Sequence, residues 1–186
     1  AGKIRSFGFA EIAPSSLKKA AEIHHVAAVQ SEYSLSVRSP ELGLVQATKQ
    51  LGTALVAFSP LGRSLLTDRP HTTQKIATMG FLKNNPRFIE PNLSANIEAT
   101  AKFRALAAEM GTSAAALSIA WLLHQSEHII AIPGTRSVPH FLEHCAGARL
   151  SLSKEAIAQI ESVLPVGWAH GDRYSQQQWI GPERYC

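Results

Sequence analysis

The feature that most constrains the fold is a repeated alternation of short apolar runs with segments of helical periodicity. Strands are predicted at residues 4–9, 26–30, 54–58 and 129–132, and segments with helical spacing of apolar residues follow them. Strands and helices that alternate at this spacing form βαβ units, whose strands lie parallel in one sheet. The pattern predicts an α/β fold, either a doubly wound open sheet or part of a (β/α)8 TIM barrel. A whole barrel needs about 250 residues, whereas this chain has 186.

Prolines and hydroxyl residues mark the predicted helix starts. Pro14 and Ser15 open the first helix, with Ser15 as the N-cap, and Pro40-Glu41 opens the second. Later helices are expected to begin after Ser113, Ser137 and Ser153. Between residue 62 and about residue 91 the sequence is rich in Thr, Asn and Pro and predicts a long loop, a feature that is usually functional or mobile. The tail, residues 166–186, shows no clear periodicity.

The amino-acid composition limits the kinds of molecule that the protein is expected to bind. The chain is 45% hydrophobic with a net charge of +4, which permits an anionic partner of some kind. Its Lys and Arg residues are dispersed and form no patch interleaved with aromatics, so no nucleic-acid partner is expected. No apolar run approaches the ~18 residues of a spanning helix, so no membrane partner is expected. Two cysteines, Cys145 and Cys186, do not define a disulfide framework, which indicates a reducing, cytoplasmic location.

The segment from Ile132 to Ser137 is a candidate anion site. A buried strand ends, Gly134 permits close backbone approach, Thr135 and Arg136 supply donors, and a helix begins. The N-terminus of a helix directs free N–H groups at whatever lies there. The alternative is an ordinary turn with a solvated arginine.

Two more predicted strands end in polar or basic residues. Gln30 follows the second strand, and Phe58 leads into Ser59-Pro60-Leu61-Gly62-Arg63 after the third. Residues at the carboxyl ends of parallel strands face the active site in α/β folds. The alternatives are a capping role for Gln30 and plain turn chemistry for the second segment.

A competing pattern suggests a metal. His140, Glu143 and His144 fit the H-x-x-E-H arrangement of inverted zinc proteases, with two histidines on one helical face. No downstream segment clearly supplies a third ligand. A zinc hydrolase is therefore the minor alternative, and a surface or ligand-facing histidine pair is the simpler interpretation.

Taken together, these segments resemble the aldo-keto reductases in order and spacing. The segments that carry the resemblance are residues 3–11, 28–35, 56–63, 120–123, 132–137 and 171–174, and they extend over essentially the whole chain. The resemblance implies strands five to eight of a TIM barrel plus the closing helices, so that residues 1–186 form its C-terminal, cofactor-binding half. It also implies an NADP(H)-dependent oxidoreductase that reduces the carbonyl of a small-molecule aldehyde or ketone.

The resemblance further assigns roles in binding NADP. Gln30 bonds the nicotinamide carboxamide and Phe58 occupies the position of an aromatic, usually Tyr, that stacks on the ring. The pyrophosphate is lined by Ser59, Leu61, Gly62 and Arg63, with Pro60 in the same segment, and the 2′-phosphate is held by Gly134, Thr135 and Arg136. His140 and Glu143 lie beside the adenosine, and His144 stands where an Asn commonly meets the adenine.

No catalytic residue is assigned in this chain. The family's catalytic Asp, Tyr, Lys and His come from the first four strands, and Tyr33, Tyr174 and Tyr185 do not match that position. A second hypothesis is therefore a non-catalytic half-barrel that binds a nucleotide or a partner. The expected protein partner is an N-terminal half-barrel, or a second copy in a homo-oligomer joined through the open strand edges.

Overall fold

Four parallel strands form one sheet in a computed structural model that describes residues 2–184. The strands are β1 (Gly8–Ala10), β2 (Ala28–Glu32), β3 (Ala54–Phe58) and β4 (Ile129–Ile132), and each pairs with the next in the order of the chain. The helices are α1 (Pro14–Ile23), α2 (Leu44–Gln50), α3 (Thr73–Ala77), α4 (Asn92–Ala99), α5 (Ala101–Glu109), α6 (Ala114–His124), α7 (Val138–Arg149) and α8 (Lys154–Val163). The predicted α/β class with a parallel sheet is confirmed.

The two faces of the sheet have different environments. Side chains alternate between the faces of a strand, and the face that carries Val29, Leu55 and Ile129 is buried beneath the helices. The main core lies there, and it includes Leu17, Leu44, Phe103, Leu117 and Trp121. On the other face Ile130 is 51% exposed and Ile132 is 42% exposed. The described chain thus packs only one side of its sheet.

Two strands begin or end elsewhere than predicted. The first strand is Gly8–Ala10 rather than residues 4–9, and the second strand is Ala28–Glu32 rather than residues 26–30. Val26 is fully buried and yet precedes the strand, since its carbonyl accepts a hydrogen bond from the Thr53 hydroxyl. An apolar run therefore indicates that its residues are buried. The bounds of the strand depend instead on which of those residues pair with a neighbouring strand. The shift brings Glu32 into the end of β2.

Some helices begin at the predicted residues and others do not. Ser113 and Ser153 accept cap hydrogen bonds from backbone N–H groups, as predicted. Ser15 is not an N-cap, because α1 begins at Pro14, whose missing N–H needs no acceptor. Ser137 occupies the N-cap position of α7 without a side-chain cap bond. Pro40-Glu41 opens a 3-10 turn at Ser39–Leu42, and α2 begins only after Gly43.

The predicted long loop is a structured segment. It contains α3 and three 3-10 turns, Gly62–Ser64, Leu82–Asn84 and Pro86–Phe88. These elements enclose a second small core formed by Leu65, Ile76, Leu82, Phe88 and Leu93. Each element is shorter than two helical turns, so none of them gives a periodic signal in the sequence.

Among residues 2–184, no helix taken singly has the length and apolarity to cross a membrane. One pair of helical segments, Asn92–Glu109 and Ala114–His124, meets the criterion of length and composition jointly, and the two are bent by 90°. α6, the second of the pair, is mostly buried inside the protein.

Candidate functional site

A cavity of about 940 Å³ opens beside the carboxyl ends of β3 and β4. Nine of the thirteen residues that the sequence predicts for a binding site line it: Ser59, Pro60, Leu61, Arg63, Gly134, Thr135, His140, Glu143 and His144. The first four follow β3, and the others follow β4 or belong to the first turns of α7. Parallel pairing of β3 with β4 brings the two segments together, because their carboxyl ends meet at the same edge of the sheet.

The opposite wall of the cavity comes from the structured segment after β3. Its residues are Ser64, Thr67, Asp68, Arg69, His71, Met79, Phe81 and Leu82. Sequence reasoning assigned no role to these side chains. The signal that pointed to them was the length of the segment between β3 and the next helix, since long connections in compact domains are often functional.

Several residues directly after β3 have a left-handed backbone conformation, with positive φ. Ser59 has φ of 51° and Arg63 has φ of 55°, a conformation that costs free energy for a residue with a side chain. Surrounding bonds hold it in place: the Ser118 hydroxyl donates to the Pro60 carbonyl over 2.8 Å. At Gly62 a Cβ would lie 3.0 Å from the Ser36 Oγ, so this turn has little room for a side chain.

The chain leaves β4 into the N-terminus of α7. The Thr135 hydroxyl accepts a hydrogen bond from the Ser137 N–H over 3.1 Å, which orders the turn before the helix. Space around Gly134 is open: apart from its two chain neighbours, no described residue has an atom within 4 Å of where a Cβ would be. The first turn of an α-helix carries N–H groups without intrahelical acceptors and favours negative charge. This end of the cavity is therefore suited to an anionic ligand.

The histidines of α7 differ in environment. His140 is exposed, whereas His144 is 7% exposed and its Nδ1 has no hydrogen-bond partner among residues 2–184. Burial lowers the pKa of His144, which favours the neutral imidazole. Within residues 2–184 no three His, Cys, Asp or Glu side chains converge in an arrangement that could hold a metal ion. The structure offers no geometry in favour of the zinc alternative.

Four predicted site residues lie outside the walls of this cavity. Gln30 is exposed on the open face of the sheet, in register with Val56 of β3. Phe58 is half-buried at the end of β3, and Arg136 is exposed. Gly62 is buried and lines a second, much smaller cavity.

A buried ionic cluster lies across the carboxyl ends of the first three strands. Glu32 at the end of β2 accepts hydrogen bonds from Arg63 over 2.8 and 3.1 Å and from Arg173 of the tail over 2.8 Å. Arg173 also donates to Glu11, which follows β1, over 2.5 Å. The Tyr174 hydroxyl lies 3.2 Å from Arg173. Of these residues, the sequence had assigned a ligand-binding role only to Arg63.

The two arginines control the charge of Glu32. Burial by itself would raise the pKa of this carboxyl, but the hydrogen bonds and positive charges of Arg63 and Arg173 outweigh it and lower the pKa. Burial would likewise lower the pKa of Arg173, and the charges of Glu32 and Glu11 more than reverse this. Glu32, Arg63 and Arg173 are thus charged at neutral pH.

A pH dependence of stability follows from the lowered pKa of Glu32. Its contribution is present above the pKa of the unfolded chain, near 4.5, and is lost as pH falls through the lower folded value. We expect the midpoint of denaturant unfolding to decline as pH falls below about 4.5, and Glu32→Gln to flatten part of this decline. Glu98→Gln, in α4 and outside the cluster, serves as the matched control. An identical acid profile for wild type and Glu32→Gln would contradict the prediction.

Comparison with known proteins identifies the group to which the chain is similar. The model of the Aldo/keto reductase family matches residues 1–165. A probable aldo-keto reductase 1 of Glycine max is 32% identical over 173 residues, which are 93% of this chain and 50% of the relative. Aldo-keto reductase str7 of Strobilurus tenacellus is 29% identical over 92% of this chain and 52% of its own. The chain therefore spans about half the length of these relatives.

Solved structures agree on the fold. The glycerol dehydrogenase AKR11B4 from Gluconobacter oxydans superposes with a TM-score of 0.73 at 25% identity, over 88% of this chain and 50% of its own. A thermostable aldo-keto reductase in complex with the inhibitor epalrestat has a TM-score of 0.64 at 24% identity, over 87% and 49%. The second similarity supports the fold alone.

Proposed function

The chain belongs to the aldo-keto reductase family, and on this premise we propose that it carries the NADP(H)-binding half of an oxidoreductase that reduces aldehyde and ketone carbonyls. The observation that carries the proposal is the cavity beside β3 and β4, which gathers nine predicted binding residues from two separate segments. Its volume of about 940 Å³ is at the upper end of the range for small-molecule sites, which suits a long, anionic dinucleotide.

We also propose that the four strands are strands five to eight of a TIM barrel. The sheet is parallel and its strands pair in sequential order, as neighbouring strands of such a barrel do. One face is packed by helices, while Ile130 and Ile132 on the other face are exposed. A barrel interior would cover that second face. The relatives are about twice as long as this chain, which leaves room in them for four further strands.

Each part of the dinucleotide has residues that could hold it. Bound NADPH would supply the hydride for carbonyl reduction. Gln30 would orient the carboxamide and Phe58 would support the nicotinamide ring, while the segment Ser59–Arg63 would line the pyrophosphate. Gly134, Thr135 and Arg136, beside the N-terminus of α7, would hold the 2′-phosphate. His140, Glu143 and the orphaned Nδ1 of buried His144 are placed for the adenosine.

The test is a titration of the intact protein, rather than of residues 1–186 alone, with NADPH, followed by an assay of NADPH oxidation with a reactive aldehyde. Saturable binding with aldehyde-dependent oxidation supports the oxidoreductase. Binding without turnover by the intact protein would favour the second candidate, a non-catalytic half-barrel that binds a nucleotide, for which the open face of the sheet is the motivating observation. Absence of NADPH binding would refute both.

Arg136 tests the choice between NADPH and NADH. Its side chain is exposed, and it directly follows Thr135, which lines the end of the cavity that is suited to an anionic ligand. Hydrogen bonds to charged groups are strong enough that Arg136→Ala should weaken NADPH binding about tenfold to a hundredfold and leave NADH binding almost unchanged. Arg149→Ala, in the last turn of α7, the helix that follows Arg136, is the matched control. Equal losses for the two cofactors would rule out this role.

Phe58 tests the nicotinamide end. Aromatic stacking adds about 0.5–1.5 kcal/mol beyond the buried area of a ring. Phe58→Ala should therefore weaken binding of NADPH and NADH alike, whereas Phe58→Tyr keeps the ring and should be neutral or favourable. Phe141→Ala, on the exposed side of α7, is the control. A complex that placed Phe58 beyond contact distance of the nicotinamide would contradict the assignment.

A further inference from the structure

We propose that Arg173 is a positioning residue: by neutralising Glu32 from the tail, it allows Arg63 to exchange this carboxylate for a phosphate group of the bound cofactor. The inference rests on the proposed function and deepens it. It gives the C-terminal tail, whose sequence shows no periodicity, an electrostatic role at the binding site.

Glu32 lies between two arginines. Its side chain is 3% exposed, and its oxygen Oε2 lies 2.8 Å from Arg63 Nη2 and 2.8 Å from Arg173 Nε. Removing the partner of a buried charge is strongly destabilising, because the charge is left without compensation. Arg63 can leave Glu32 at acceptable cost only if a second cation stays on that carboxylate, and Arg173 is that cation.

Arg63 faces the site where a phosphate would bind. It lines the large cavity with Ser59 and Gly134 and also lines the small cavity with Glu32. Its side chain is 18% exposed, and its guanidinium lies over the Phe81 ring at 4.5 Å. A guanidinium bonds phosphate and carboxylate through the same fork of N–H groups. Arg63 can therefore change acceptors through a small movement of its side chain.

Arg173 is the residue of the cluster that forms ion pairs with both of its carboxylates, Glu11 and Glu32. Two carboxylates, Glu11 and Glu32, face two guanidinium groups, those of Arg63 and Arg173. Arg87 lies nearby and donates to the carbonyls of Ser36 and Gly171. Without Arg173, the two carboxylates would hold Arg63 more strongly and would repel an incoming phosphate.

Part of the tail backbone is held by hydrogen bonds that the Arg173 side chain does not make. The Asn85 amide donates to the Arg173 carbonyl over 2.7 Å, and the Arg173 N–H donates to Asp172 over 2.7 Å. The His170 N–H donates to the Asn96 side-chain oxygen over 2.7 Å. A substitution at position 173 therefore changes the charge of the cluster while these anchors remain.

The test measures the dissociation constant of NADPH by fluorescence titration of the intact protein. We expect Arg173→Gln to weaken binding about tenfold to a hundredfold, the equivalent of one charge-assisted hydrogen bond. Glu32→Gln alone should bind at least as tightly as wild type, and Glu32→Gln/Arg173→Gln should recover near-wild-type affinity. Arg184→Gln, a tail arginine that lies over Trp179 outside the cluster, is the matched control and should match wild type.

Recovery of NADPH affinity in the double variant distinguishes an electrostatic role of Arg173 from a structural one. If Arg173 only held the structure together, removing the Glu32 carboxylate as well would not restore the affinity. An Arg173→Gln affinity equal to wild type, or a double variant as weak as Arg173→Gln, would overturn the inference while leaving the proposed function intact. Absence of NADPH binding by wild type would instead overturn the proposed function, and this inference with it. Circular dichroism checks folding; if Arg173→Gln does not fold, Arg173→Lys replaces it, with a smaller loss that Glu32→Gln again reverses.

Discussion

Residues 1–186 produced on their own are expected to be either poorly folded or dimeric, and not to reduce carbonyls. In the described part of the chain, β1 and β4 each pair on one side only. Unpaired strand edges invite association, and the exposed face with Ile130 and Ile132 lacks the apolar cover of a barrel interior. Burial of apolar surface contributes about 25 cal/mol per Å². The stabilisation lost by leaving this face exposed is therefore large beside a marginal stability of about 5–15 kcal/mol. Loss of turnover follows because no catalytic residue is assigned to this chain.

The measurements are the mass in solution and NADPH oxidation with a reactive aldehyde. A well-folded monomer would contradict the argument from the open edges. Turnover at the level of an enzyme would refute the stronger claim, that the chemistry requires residues from the other half of a barrel. If the chain is half of a barrel, as proposed, recovery of activity on adding a separately produced N-terminal half would support both parts of the prediction.

Trp121→Ala is expected to cost the intact protein about 3–5 kcal/mol of unfolding free energy, the range for removing a large buried aromatic side chain. Trp121 of α6 is fully buried in the main core and packs edge-on against Tyr33 at 5.8 Å. The Arg38 guanidinium lies 5.0 Å from its ring centre, and the indole N–H donates to Glu161 over 3.3 Å. Truncation would leave a cavity and remove all three contacts. Denaturant unfolding of the intact protein measures the loss.

Trp121→Phe is the matched control for this prediction. It keeps an aromatic ring against Tyr33 but removes the indole donor, while Glu161 retains its ion pair with Arg38 at 3.0 Å. We expect a cost well below that of Trp121→Ala. A loss of less than about 1 kcal/mol for Trp121→Ala, the usual size of a surface effect or a single hydrogen bond, would show that this side chain does not anchor the core.

The sequence by itself determined the class of the fold and several of its elements. The strands at residues 54–58 and 129–132 lie where the apolar runs predict them, and the N-caps at Ser113 and Ser153 form the predicted bonds. These features depend on near neighbours in the chain, so local apolarity and hydrogen-bonding groups are sufficient to predict them. The two segments that line the cavity were also predicted, because polar residues directly after buried strands lie at one edge of a parallel sheet.

Only the tertiary structure decided which charges meet. Arg173 lies 141 residues from Glu32 and 162 residues from Glu11 in the sequence, and no local pattern links them. The sequence predicted Arg63 as a ligand-binding residue but gave no sign that it bonds Glu32. That pairing exists because Glu32 is in register with Phe58 at the carboxyl ends of β2 and β3, which places the next turn of the chain over the carboxylate. Packing of the whole domain sets the register of the strands and the path of the tail. The partners of a buried charge therefore depend on the fold and not on the residues next to it in the sequence.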